Sequence, residues 1–225
     1  MRFKTILRLV LILFSVSFLH YVLPQKDIAR ITGTEVIRQD FSSLNRFFYA
    51  QADNGNVENA TRDVLFINTI RKQTYLFGLI RANEANDVMI YRNEDTGWIW
   101  PPYFKFDSRD LQGEAQEYTS TAENPQWVLI NHYGWRNRFI TIFPNAISIK
   151  PIEDPNMRII PWFNIAFFIV LIAFLLFLRA AWYQFRERKL DPVLDKAGDS
   201  WDKVEANAAE RRGRFRRWLD TWRKK

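Results

Sequence analysis

Two long apolar runs, residues 9–23 and 159–178, bracket a polar middle of mixed charge. At 1.5 Å rise per residue, a helix of about 20 apolar residues spans the roughly 30 Å hydrocarbon core of a bilayer. A chain built this way has to place two helices in lipid and fold a water-facing domain between them. Basic side chains stand outside each run: Arg2, Lys4 and Arg8 before the first, Arg179, Arg186, Arg188 and Lys189 after the second. Positive flanks are retained in the cytoplasm, so both tails belong there and residues 24–158 belong across the membrane. Charge follows the same division. Residues 1–23 carry net +3, residues 24–158 net −2 and residues 179–225 net +6 of the total +7.

The two runs are not equally clear. Residues 159–178 are almost wholly apolar, with Pro161 in the first turn, where a missing amide hydrogen costs little. Trp162, Trp182 and Tyr183 stand at the ends, where amphipathic rings prefer to lie. Asn164 is the one strongly polar interior residue; it bonds its own backbone or a partner helix. The first run also has the outline of a secretory signal. Ser15-Val16-Ser17 is a weak cleavage signal, however, and the large residues after it favour a retained anchor ending at Pro24. His20 and Tyr21 then sit at the interface.

Composition removes several chemistries. There is no cysteine, hence no disulfide framework, thiolate metal site or thiol nucleophile. The two histidines, His20 and His132, are far apart in the chain, which argues against a metal site on paired imidazoles. No metal, cofactor or catalytic set is expected.

The middle region has the patterning of short strands: residues 31–37, 63–70, 88–92, 126–133, 139–143 and 146–152. Turn signals at 53–56, 95–97, Gly134 and Pro144-Asn145 separate them, and residues 108–118 suit one short helix. The expectation is a mainly-β domain, a small OB-like barrel or a sandwich, on residues 24–158. Its densest cluster of unusual residues is 91–107. Trp98, Trp100 and Tyr103, with Arg92 and Glu94 nearby, could contact a ligand or partner, since aromatic faces bind sugars and proline-rich segments. A hydrolase would pair Glu94 with Asp95 or Asp107, but adjacent positions point apart. The plain alternative is a long connection pinned by its own aromatics. His132, in a strand, is a structural histidine or a general base with no nearby serine or cysteine in sequence.

Residues 92–98, 101–107, Leu23-Pro24-Gln25, 31–35, Leu111-Gln112, 132–136 and 143–146 together resemble a bacterial membrane-protein family, domain of unknown function 1523. The resemblance covers about residues 19–152 and leaves the second apolar run and the tail as less characteristic. It implies an alphaproteobacterial inner-membrane setting and no particular activity.

In residues 200–222 of the tail, Trp201, Val204, Ala208, Phe215, Trp218, Leu219 and Trp222 recur at spacings of three and four. At 100° per residue they fill one arc of about 100°, with Arg211 the only charge inside it. Arg212, Arg216 and Arg223 border the arc, and residues 211–225 hold eight basic groups and one acidic group. This is the pattern of a helix lying on an anionic lipid surface. A disordered tail or a protein partner are the alternatives; no nucleic-acid motif accompanies the charge. Residues 190–198, with Asp191-Pro192 and Gly198, suggest a hinge before it.

The sequence thus predicts a multi-pass protein of a bacterial inner membrane: cytoplasmic N-terminus (1–8), first span (9–23), periplasmic β domain (24–158), second span (159–178) and basic cytoplasmic tail (179–225). The expected function is non-enzymatic, structural or accessory, with a membrane or envelope partner or a second copy. A ligand-binding envelope sensor using residues 98–106 is the alternative, and an envelope hydrolase a distant third.

Overall fold

The computed structural model describes residues 3–40, 48–49, 61–75, 77, 80–98 and 101–223. The chain divides into two compact units, residues 1–165 and 166–225.

The first unit opens with helix α1 (Phe3–Val22), which has no buried residue. Strands β1 (Gln25–Asp40), β2 (Thr61–Tyr75) and β3 (Ile80–Arg92) follow, then helix α2 (Ser108–Glu117), β4 (Trp127–Tyr133) and β5 (Asn145–Ile152). β1 is long because it serves two partners. Its first residues pair with β4, from Gln25–His132 to Arg30–Trp127, and its later ones with β2. Ala29 and Arg30 pair with both, and the β1–β2 register shifts between Ile31 and Gly33. The strand order β1-β2-β3-β5-β4 returns to β1 as a ring. One seam of that ring is thin: β3 and β5 share a single parallel pair, Arg92–Asn145.

This corrects the expected fold class. Of the described residues, 46% are helical and 30% lie in strands, so the chain is mixed α/β and not mainly β. All five strands belong to one sheet, which rules out a two-sheet sandwich. The single-pair seam separates the sheet from a fully laddered OB-like barrel. It lies at the end of β3, next to Asn93.

Period-2 alternation sets the core. Ala29 and Ile31 of β1, Ile67 of β2, Met89 and Tyr91 of β3 and Val128 and Ile130 of β4 share one buried cluster, and a bulge in β5 opposite Asn131–His132 brings Ala146 and Ile149, three residues apart, into it as well. Helix α2 adds Leu111 and Ala115 at helical spacing. Asp107 precedes α2 without a side-chain cap; instead the Ser108 amide donates to Asp95 Oδ1 at 2.9 Å, giving a backbone donor of the first turn its acceptor.

Residues 139–143 do not form the expected strand. Asn137 Oδ1 accepts the amides of Phe139 (2.9 Å) and Ile140 (3.3 Å), and Asn137 pairs with Ile142 across a tight turn. A short polar side chain here offers the backbone a better local partner than a ladder does. The turn expected at 53–56 lies outside the described residues.

Helix α3 (Trp162–Phe185) begins in the first unit and fills the start of the second. A π-helical turn, Arg186–Leu190, leads directly into α4 (Asp191–Arg223). The hinge expected at 190–198 is therefore absent: the segment is helical throughout. Pro192 cannot donate to the carbonyl four residues back and its ring crowds it, and the widened turn just before it relieves that clash. Two helices, Phe3–Val22 and Trp162–Leu194, are long and apolar enough to cross a membrane.

Candidate functional site

The site is built where α1 enters the β domain. The helix is not followed by a linker. Leu23 is buried, and Leu23 N–H still donates to Leu19 O at 2.8 Å. Gln25 Nε2 donates to His20 O (3.0 Å) and Trp135 Nε1 donates to His20 Nδ1 (2.8 Å). Gly134 N–H donates to Tyr21 O at 2.9 Å. Gly134 has φ +92°, open to glycine, and the edge of the Tyr21 ring lies 3.5 Å from where a Cβ would stand. The Tyr103 hydroxyl donates to Val22 O. Asn164, at the start of α3, donates from Nδ2 to Pro24 O at 2.9 Å. The sequence pointed to a bond with its own helix or with a partner helix; instead the Asn164 side chain bonds the turn that ends α1.

Beneath this junction the domain buries two polar networks, one on each face of the sheet. On the inner face, Asp27 accepts from four side chains: Tyr91 Oη (2.6 Å), Arg71 Nη1 (2.8 Å), Thr74 Oγ1 (2.8 Å) and His132 Nε2 (3.0 Å). Burial opposes the charge on Asp27. His132, Arg71 and the Tyr91 hydroxyl outweigh it and hold the carboxyl well below the usual carboxylate range. Burial, then the Asp27 charge, pushes the Tyr91 phenol well up, which keeps it a donor.

On the opposite face, Glu94 pairs with Arg92 at 2.9 Å and with Arg62. The Arg92 guanidinium lies over the Tyr49 ring, 4.7 Å from its centroid, and 6.0 Å from that of Tyr133. Asn145 locks the layer by accepting the Glu94 amide (2.9 Å) and donating to Glu94 O (3.0 Å). Burial raises the Glu94 carboxyl despite its arginines. Buried Lys105 donates to Asn93 Oδ1 and to Ala146 O (2.8 Å), and burial lowers it to about 8 against the pull of Asp107, Asp95 and Glu94. Asn93 donates to Ser108 O and Gln112 Oε1, which ties α2 to the end of β3.

The residues singled out from sequence fall apart into three groups. Arg92 and Glu94 do meet, but buried and facing each other. Tyr103 stacks on Tyr133, centroids 4.8 Å apart, and serves the α1 junction. Trp98 is 83% exposed, with the Phe104 and Phe106 rings 5.3 and 6.1 Å away and also exposed. Trp100 lies outside the described residues. In α4, Trp201, Phe215 and Trp218 are exposed, as are Arg212 and Arg216; the Trp222 side chain lies outside the described residues. Asp95, half of one imagined acid–base pair, spends its carboxylate on α2, and Glu94 spends its own on two arginines.

Sequence reasoning missed Asp27, Arg71, Tyr91 and Lys105. A signal existed for three of them: Asp27 is in phase with Ala29 and Ile31, Arg71 with Ile67, and Tyr91 with Met89. A strand that buries its alternate residues buries the polar ones in phase too. His132 does reach a carboxylate, but both are about 3% exposed and neither serine nor cysteine joins their hydrogen bonds. Among the described residues no group of His, Cys, Asp or Glu could hold a metal ion.

Two helices able to cross a membrane, with a β domain grown onto the end of the first, define a membrane-associated protein. The chain belongs to the family described as "Protein of unknown function (DUF1523)", which it matches over residues 1–186. That match takes in both candidate spans, so the second apolar run is part of the family pattern, contrary to the narrower 19–152 resemblance. A Haemophilus influenzae protein described as uncharacterized is 35% identical over 176 residues, covering 76% of this chain and 89% of the relative. The comparisons lend no support to a specifically alphaproteobacterial setting. No solved structure matches the chain.

Proposed function

We propose that this chain is a non-enzymatic accessory protein of a bacterial inner membrane. Both termini are cytoplasmic, and the β domain stands on the periplasmic face, where it meets a membrane or envelope protein partner or a second copy of the chain. The observation that carries this reading is the junction. Bonds from Gln25, Tyr103, Gly134, Trp135 and Asn164 converge on residues 20–24, so the end of the first helix is part of the domain. A cleaved signal would leave Leu23 and the Tyr21 contacts without their helix. An anchor built this way holds a domain at the bilayer surface instead of tethering it loosely. The carboxylates and arginines beneath are consumed in holding one another, which suits a scaffold. A second reading, a ligand-binding sensor, draws on the exposed Trp98–Phe104–Phe106 cluster, whose three rings cover no core.

The absence of cysteine makes the test direct. Glu123→Cys should react with a membrane-impermeant maleimide on intact cells, and Ser200→Cys only after lysis; the reverse pattern would refute the topology. Purified in mild detergent, the wild-type chain should retain a stoichiometric partner or self-associate, and Trp98→Ala with Phe106→Ala should release it. A lone monodisperse protein would remove the accessory role.

A further inference from the structure

Between β3 and the turn at 136–139 lies a cavity of about 560 Å³ whose lining includes three arginines, Arg71, Arg136 and Arg138, against one carboxylate, Asp87. We infer that this cavity is a binding site for a phosphate-bearing anion, taken up by the guanidinium groups of Arg136 and Arg138 with Arg71 behind them.

Three features argue for an anion there. Charge is unbalanced: Arg71 gives Nη1 to Asp27 (2.8 Å) and approaches Asp87 only to 3.7 Å, while its buried Nε has no hydrogen-bond partner. Arg138 is exposed and makes no ion pair among the described residues. The Arg136 guanidinium lies over the Phe143 ring, 4.0 Å from its centroid, with Nη1 donating to Asn137 O (3.1 Å) and Ile142 O (3.0 Å). Its fork is thereby fixed before any ligand arrives, and planar, oriented guanidinium groups are the protein's best match to phosphate oxygens. Burial and then the Arg138 charge both disfavour the cation of Arg136, a cost that a bound anion would offset. A cavity of this size lies within the ordinary range for small-ligand sites.

Position suggests two sources for the phosphate. The turn carrying Arg136 and Arg138 follows Trp135, which is bonded to His20 in the last turn of α1, and Phe139 at its tip is 98% exposed. A site beside an emerging helix, rimmed by an uncovered ring, suits a phospholipid headgroup; a free phosphate compound would use the same donors. The same donors would be offered on either side of a membrane.

The full chain in detergent distinguishes these outcomes. Native mass spectrometry with phosphatidylglycerol or phosphatidylcholine, and calorimetry with inorganic phosphate, would be run on wild type, Arg138→Gln and Arg109→Gln. Arg109, an exposed residue of α2, removes the same charge outside the cavity. A single phosphatidylglycerol retained by wild type, weakened about tenfold by Arg138→Gln and unchanged by Arg109→Gln, would establish the site with a lipid source. The same dependence for inorganic phosphate would establish it with a soluble one. Among the described residues the Arg138 side chain makes no hydrogen bond or ion pair, so unchanged thermal unfolding of Arg138→Gln should accompany either result. No saturable binding of either anion, or equal binding by all three proteins, would overturn the proposal.

Discussion

In the β domain charged groups lie inside, while in the last helix aromatic groups lie outside. Asp27, Arg92 and Lys105 are each less than 5% exposed, whereas Trp201, Phe215 and Trp218 of α4 are each more than half exposed. The domain can bury ions only because each has partners within the chain. The rings along α4 cover no core in this way, and among the described residues the ion pair of its second half, Arg214–Glu210 at 3.8 Å, is largely exposed and worth little. One region satisfies its charges internally, and the other leaves large rings exposed.

The largest effect belongs to Asp27. Replacing it with alanine leaves Arg71 and His132 facing each other in the core without their carboxylate. Removing one member of a buried ionic network costs about 3–5 kcal/mol. Thermal unfolding in detergent should show it as a large fall in midpoint, with Asp27→Asn, which keeps the shape and one acceptor, intermediate. A loss below about 1 kcal/mol would mean that the network is incidental to the fold. Next comes Leu111→Ala in α2, a cavity at the core that should cost about 2–5 kcal/mol, measurable by the same unfolding curves.

These two residues also mark what the sequence could and could not reveal. The α2 helix, five of the six expected strands and both apolar helices were legible, because each rests on a local period. Leu111 follows from that period. The Asp27 cluster was legible only in part: phase alone buries Asp27, Arg71 and Tyr91, yet their mutual contact joins β1, β2, β3 and β4 and depends on register. Arg92 and Glu94 looked like outward ligand contacts because nothing local says that residues 48–49 and 133–145 cover that face. The hinge at 190–198 misled for the opposite reason. Proline and glycine are strong local signals, and the apolar helix running into that segment, with one widened turn, overrode them.

A smaller effect tests whether the domain's closed interior can be read by pH. Lys105 sits at about 8 in the folded chain, below its ordinary 10.5, because burial disfavours its charge. Below pH 8 both folded and unfolded chains hold the proton. Between about 8 and 10.5 only the unfolded chain does, so stability should rise with pH across that window, by up to about 1.4 kcal/mol per unit. Urea midpoints at pH 7.5 and 9.5 should differ accordingly in wild type. Lys105→Met should flatten the difference; an unchanged slope would place the titration elsewhere.

The smallest effect probes the open region. If the α4 stripe is completed by an anionic lipid surface, a peptide of residues 200–225 should be only partly helical in buffer, since most helical stability comes from packing an amphipathic face. It should gain helicity on vesicles containing phosphatidylglycerol and much less on phosphatidylcholine alone. Arg212→Gln and Arg216→Gln would each weaken binding by about 1 kcal/mol at low salt, and by less as screening shortens the reach of each charge. Trp218→Ala should weaken binding on both vesicle types, because its contribution is apolar area and not charge. That separation is the point of the experiment. Arginine effects without a tryptophan effect would describe a charged tail hovering over the membrane, and a tryptophan effect without arginine effects would describe a protein-binding face. Only the two together describe a helix whose missing half is the bilayer.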